Sequence, residues 1–315
     1  MTEIFCFNKK HIEKAKELAL MNYNSERAIV RVLPQIHTLP NIESFAENGL
    51  GVVMFDGEKM LGFLCCYEPW DNAFDSMARG TFTPIHAHGA VSENKGMIYK
   101  RLYQAAAEKW VNQAITYHAI ALYANDSQAI SAFFTNGFGL RCVDAVRPLE
   151  NFDYKPYDGV AFTELAKKDV IMIREMRKLY IIHLGNSPCF MRSAQGDAEK
   201  WLNRAENRDS RVFVAMQTDK PIAYIEIRAD GETFASAVSG MMNICGAFCL
   251  PEYRGKDIAQ GLLNYVITTL RTEGYESLGV DFESFNPNAN GFWLKNFTAY
   301  SNGVVRRIDE CCIRD

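Results

Sequence analysis

The segment CLPEYRGKDIAQGLL, residues 249–263, passes from an apolar strand pattern through Pro251 into a helical pattern. Such a junction suits an anion, because the first N–H groups of a helix lack internal partners and lie at the positive end of its dipole. The dipole contributes only about 0.3–1 kcal/mol per charge, so several N–H groups must converge on one ligand. The small residues Gly255 and Ala259 leave room for a pyrophosphate beside Arg254, Lys256, Asp257 and Ile258. An ordinary polar helix start accounts for the same residues, since an Asp in a first turn is favourable with no ligand present.

Candidate acid–base groups follow downstream. Asp281 and Glu283 share one face of SLGVDFES (277–284), whose other face, Leu278, Val280 and Phe282, reads as core. A general base there would contribute about 10²- to 10⁴-fold to a rate; a solvated strand face explains the same spacing. Glu226 is a further acid on the preceding hairpin. His86 and His88 have the spacing of a two-ligand metal site, but no neighbouring Cys, Asp or Glu completes a set, so packing or cleft lining is expected and no metal. Cys249 reads as a small buried hydrophobe, not a nucleophile. Patterns of the type GxxxxGK[ST] and GxGxxG are absent.

The elements that position these residues occur twice. Residues 96–110 lie opposite 256–270 at an offset of 160, with Ile98 on Ile258 and Leu102 on Leu262; Ala129 on Ala289, Asn136 on Asn296 and Arg147 on Arg307 keep that offset. One register held through helix, strand, helix and strand points to two similar domains. The linker is NFDYKPYDG, 151–159, so domains over 1–150 and 159–315 are expected. In the second half, strands are expected over 160–165, 211–217, 221–229, 242–250 and 277–284, ending in a strand pair. Helices are expected over Asp169–Leu184, Asp197–Asn207, about Gly255–Thr272 and 288–295. The first half repeats this order with a hairpin about Asp56-Gly57, a strand over 79–89, a helix near 95–116, a strand over 117–124, a helix near 126–136 and a strand over 139–146. That order predicts α+β sheets covered by helices, not a doubly wound nucleotide fold.

At this point the chain resembles the GNAT family of N-acetyltransferases, in tandem. The family's motif A is Gln or Arg, two residues, Gly, one residue, then Gly or Ala; Arg254, Gly255 and Ala259 stand in that frame, while Asp257 replaces the central Gly and is expected to face solvent. NPNANGFWLKNF (286–297) resembles motif B through Asn286, Ala289, Phe292 and Trp293, with Trp293 in place of the Tyr that many members use as acid toward the thiolate. The resemblance covers about three quarters of each half. It implies acetyl-CoA as cosubstrate, held at Phe248, Cys249, Leu250, Arg254, Gly255, Lys256, Asp257, Ile258, Ala259, Asn286 and Trp293. It also implies direct attack on the thioester by a small-molecule or peptide amine, with Asp281 and Glu283 as catalytic candidates. A non-catalytic acyl-CoA-binding module is the other reading. The first half keeps motif B through Ala129, Phe133 and Gly137-Phe138. In NKGMIY (94–99), Met97 and Tyr99 occupy small-residue positions, and their bulk is expected to close that site, leaving a scaffold or one wall of the substrate cleft.

Bulk properties set the class. At 315 residues the chain exceeds one ordinary core, and 48% hydrophobic with 23% charged residues is a globular composition. A net charge of -4 with no long Lys/Arg run gives no footprint for nucleic acid or an anionic membrane. Nine cysteines without a CxxC spacing fit a reduced, cytoplasmic protein, and a homodimer is compatible with all of this.

Overall fold

The computed structural model describes residues 2–191, 197–207 and 209–313. The chain divides into two compact units, Met1–Asp144 with Ala299–Asp315, and Ala145–Thr298. The first carries β1 (Thr2–Cys6), α1 (Ile12–Ile29), α2 (Glu43–Glu47), β2 (Val52–Asp56), β3 (Lys59–Leu64), β4 (Gly80–Thr83), β5 (His88–Ala90), α3 (Lys95–Val111), β6 (Tyr117–Tyr123), α4 (Ser127–Thr135) and the start of β7 (Gly139–Pro148). The second carries β8 (Val160–Glu164), α5 (Arg174–Gly185), α6 (Asp197–Asn207), β9 (Arg211–Gln217), β10 (Lys220–Arg228), β11 (Met241–Cys249), α7 (Ile258–Thr272), β12 (Ser277–Glu283) and α8 (Pro287–Asn296). The last strand, β13 (Thr298–Arg307), pairs antiparallel with β6, from Ser301↔Tyr123 to Arg307↔Tyr117. The compact units therefore depart from the expected boundaries of 1–150 and 159–315, because the closing strand completes the first unit's sheet. The expected final strand pair is this single strand.

In the first unit β1, β2, β3 and β5 form one sheet, and β4, β6 and β13 lie side by side in another. The single strand expected over 79–89 is thus two short ones. Pro84 has no N–H to give to a ladder, and a turn closed by Ala87 N–H on Pro84 O at 2.8 Å separates β4, parallel to β6, from β5, antiparallel to β3. α1 buries Ile12, Ala15, Leu18, Ala19, Asn22, Tyr23 and Glu26, one face at helical spacing, and Asn22 exchanges side-chain hydrogen bonds with the main chain of Ala90 at 3.0 and 3.2 Å. α3 ends at Val111, short of the expected 116.

In the second unit the order is β12-β11-β10-β9-β8. β8 to β11 are antiparallel neighbours, and β11 runs parallel to β12. α7 lays Ile258, Leu262, Leu263, Val266, Ile267 and Leu270 against the sheet. Gly261 lets it approach closely, since a Cβ there would come within 2.6 Å of Phe162. α5 and α6 cover the opposite face through Met176, Trp201 and Leu202, packed on Val212, Val214, Tyr224 and Phe248. Among the described residues no helix is long and apolar enough to cross a membrane.

One buried acid in the first unit predicts a pH dependence. Glu26 is 3% exposed, accepts from Asn125 Nδ2 at 2.8 Å and Asn125 N–H at 3.3 Å, and is pushed up to about 7, mainly by burial. Between the ordinary value of 4.5 and about 7 the folded chain holds a proton that the unfolded chain has released, so stability falls as pH rises through that window. His86, His88 and His118, each lowered by burial to about 4, slope the other way, so the contribution of Glu26 is read as a difference: from the acid to the neutral side of that window, urea midpoints of Glu26→Gln should gain on those of the wild type by on the order of 1–3 kcal/mol.

Candidate functional site

The parallel ladder of β11 and β12 runs from Met241↔Ser277 to Ile244↔Val280 and stops there, although β11 continues to Cys249 and β12 to Glu283. The cause lies on the other side of β11. Its register with β10 slips between Glu226↔Gly246 and Ile227↔Ile244, leaving Cys245 as the extra residue of a bulge, and a bulge bends and twists its strand. Beyond the bulge the two strands diverge. Leu250 N–H bonds to Ile222 O at 3.0 Å, so the strand's alternation turns the N–H groups of Ala247 and Cys249 toward the side that β12 vacates. The main-chain donors available to a ligand there are thus Ala247 and Cys249. Of the segment expected to offer them, Leu250 is occupied and Phe248 faces β10.

The mouth of this gap is a cleft lined by Ala223, Ala247, Phe248 and Cys249 of the sheet, by Arg254, Gly255, Asp257, Ile258 and Ala259 before and within α7, and by Asn286, Ala289, Phe292 and Trp293 of α8. The residues singled out from the sequence are brought together here, except that Lys256, Leu250, Asp281 and Glu283 do not line it. Pro251–Tyr253 is a short 3-10 turn and α7 begins at Ile258, three residues later than expected, because Gly255 and Asp257 both take left-handed backbone at φ 71° and 55°. Gly255 is needed for that conformation and not for space, since a Cβ there would meet nothing within 4 Å. Asp257 is half-buried, not turned to solvent: its Oδ2 accepts from Lys155 N–H at 3.2 Å. Its side chain does not cap the helix. The first bond of α7 is Gly261 N–H to Asp257 O at 2.9 Å, so the N–H groups of Ile258, Ala259 and Gln260 have no acceptor within the helix.

The flanking side chains are held by specific contacts. Arg254 folds back, its Nε donating to Cys249 O at 3.0 Å and its guanidinium 5.3 Å from the Phe248 ring centroid. Lys256 is exposed, its Nζ 5.5 and 5.4 Å from the ring centroids of Tyr157 and Tyr253. Asn286 caps α8 by accepting from Ala289 N–H at 3.4 Å. Trp293 is 6% exposed and packs edge-on against Phe292 and Phe297, at 4.7 and 5.5 Å between centroids. Two residues that sequence reasoning missed complete the cleft: Tyr180 and His183, one turn apart on α5, each with its ring about 6 Å from Phe248. No motif marks them.

Asp281 and Glu283 follow the point of divergence. Ser277 to Val280 are buried on both faces, whereas Asp281 is exposed and Phe282 buried, so alternation begins where pairing ends. Loss of hydration among the surrounding protein, then the carboxylate of Glu232, pushes Asp281 up to about 7, although the side chain keeps water on one side. Glu226 is 2% exposed, and its Oε2 accepts from Trp201 Nε1 at 3.1 Å.

The same positions are closed in the first unit. Lys95, at the offset position of Gly255, makes an ion pair of 2.7 Å with Asp126, at that of Asn286, with both side chains about nine-tenths buried. Tyr99, opposite Ala259, is 1% exposed and bonds His88 Nδ1 at 2.9 Å, while His88 Nε2 donates to Ala121 O at 2.7 Å and so ties β5 to β6. Met97, expected to block, is 60% exposed and blocks nothing. Both nitrogens of His88 are engaged and burial lowers its pKa to about 4; among the described residues no cluster fit for a metal occurs.

With this geometry in place, the family match falls in the second unit, and the structural likenesses extend over both. The model of the Acetyltransferase (GNAT) family matches residues 177–297, which lie wholly within it. A GCN5-related N-acetyltransferase from Sphaerobacter thermophilus superposes over 97% of this chain and 95% of its own at 11% identity and a TM-score of 0.57. A region described as a GCN5-related glucosamine N-acetyltransferase, in a fungal multi-domain GH3 β-N-acetylglucosaminidase, superposes over 97% of this chain and 38% of that one, at 14% identity and 0.50. A tandem GNAT protein from the clavulanic acid biosynthesis pathway covers 98% and 99% at 13% identity and 0.49. At these identities the first two likenesses are of fold alone. The sequence matches no curated protein.

Burial pushes the Cys249 thiol up to about 11, which leaves it protonated near neutrality. If the cleft transfers acyl groups, Cys249→Ser should therefore change turnover less than about tenfold, whereas loss of an obligatory nucleophile would remove it.

Proposed function

We propose that this chain, whose residues 177–297 match the model of the GNAT acetyltransferase family, transfers an acetyl group from acetyl-CoA to a primary amine in its second unit. The observation that carries this reading is the gap between β11 and β12, with unpaired helix N–H groups of α7 at its mouth. The diphosphate lies against the N–H groups of Ile258, Ala259 and Gln260, where no single dipole suffices but three donors converge. The pantetheine arm lies along β11 and bonds Ala247 and Cys249, replacing the strand that has turned away.

The amine attacks the thioester carbonyl carbon directly. Asp281, raised to about 7 and lying on β12 outside the cleft lining, accepts the proton that the amine gives up as the C–N bond forms, the amine entering from the β12 side. The C–S bond then breaks, and the departing thiolate takes a proton from the Tyr180 hydroxyl, since Trp293 has no acidic hydroxyl to give. Proximity supplies much of the rate, because cleft and amine hold the reacting atoms together. The replacement of the family's phenol by Trp293 also favours a second reading, a non-catalytic acyl-CoA-binding module.

A release assay for free CoA over a panel of amines separates the two, because turnover with any amine excludes a mere binder. In the same assay Tyr180→Phe should lower kcat by about 10²-fold with the KM for acetyl-CoA unchanged. Acetyl-CoA at about 100 times its Kd should add roughly 2.7 kcal/mol to stability. Ala259→Leu should abolish that gain and Met97→Leu should keep it; equal effects of the two would show that the second unit does not hold the cosubstrate.

A further inference from the structure

Arg177, at the start of α5, is a cation that makes no direct ion pair among the described residues, although the Glu226 carboxylate acts on it from nearby. Its guanidinium lies between the rings of Tyr180 and Trp201, 4.9 and 4.7 Å from their centroids, and its Nη1 donates to Tyr224 Oη at 3.3 Å. Among the described residues its buried Nε has no acceptor and no carboxylate forms an ion pair with it. Glu226, the acid beside it, already accepts from the Trp201 indole. Arg177 is half-buried, and an unmet buried donor such as its Nε calls for a partner.

Its position says where that partner comes from. A Cβ on Gly246 would lie 3.6 Å from Arg177 Nη1 and 3.2 Å from Glu226 Oε2, so the guanidinium stands at the bulge where β11 parts from β12. Arg228 has a buried Nε without an acceptor as well, though its Nη2 is paired with Glu232 at 2.6 Å. Arg177, Arg228, Glu226 and Asp281 all act electrostatically on the Cys245 thiol of the bulge, which places cations and acids around one point. Two flat aromatic faces fix the plane of the Arg177 fork, and a fixed guanidinium fork matches a carboxylate better than it matches a neutral oxygen.

We propose that the acceptor is an amine bearing a carboxylate, as in an amino acid, and that Arg177 binds this carboxylate while the amine faces Asp281. The inference rests on the acetyl-transfer reading above and narrows its acceptor. The neutral amide of the same acceptor then leaves the guanidinium without an anion, so the acid is preferred to its amide.

The test is CoA release by the full chain with the common amino acids, each paired with its own carboxamide. At least one free acid should exceed its carboxamide by about tenfold or more in kcat/KM. Arg177→Gln should remove that preference while the KM for acetyl-CoA stays put, and Arg177→Lys should restore part of it. The comparison of acid with amide in the wild type needs no variant, so a misfolded substitution does not spoil it. Turnover of other amines but of no amino acid, equal rates for acid and amide, or a loss in Arg177→Gln shared equally by both, overturns the proposal and leaves acetyl transfer standing. No CoA release with any amine removes the acetyl-transfer reading, and this proposal with it.

Discussion

A strand that stops pairing while still inside a fold leaves main-chain donors and acceptors to be met by something else. In the second unit this occurs at Ile244 and Val280, where one extra residue, Cys245, bends β11 away from β12. Water, a side chain or a ligand must then serve Ala247 and Cys249, because buried backbone polar groups are seldom left bare. Every other feature of the cleft is arranged around that gap. α7 begins at its mouth, α8 forms one wall, and α5 brings Tyr180 and His183 over Phe248.

The first unit shows the alternative solution to the same problem. There the break is wider, with β4 and β5 in different sheets, yet the gap is filled from within: the His88 imidazole bonds Ala121 O across it, and Tyr99 supports the other ring nitrogen. At the helix start, the Lys95–Asp126 ion pair occupies the ground that Gly255 and Asn286 leave open in the second unit. At these two places the side chains of the first unit meet the exposed polar groups from within. An open cleft and a packed core are thus two fillings of one backbone pattern, and a handful of side chains decides between them.

Residues 249–263 and 286–297 pointed to a strand–turn–helix and a flanking helix, and those elements are where the spacing put them, with α7 starting at Ile258. The fixed offset between the halves was likewise legible, since core residues such as Ile98 and Ile258, or Leu102 and Leu262, are buried at matching positions. Such features are local or periodic, and local periodicity is what a sequence displays. Asp281 and Phe282 show the limit, because their alternation was readable but its origin, the end of pairing with β11, was not.

By itself the sequence determined the α+β class, the duplication, and the kind of helix start that can face a diphosphate. The tertiary structure decided which strand completes which unit, because an antiparallel ladder is built from backbone groups that every residue carries, and β13 pairs with β6 without any residue type to announce it. It also decided that Lys95 with Asp126 closes the first unit while Met97 does not, and that Arg177, distant in sequence from both motifs, stands at the bulge. These are meetings of residues far apart along the chain, and their energies depend on distance, burial and orientation, quantities that exist only once the chain has folded.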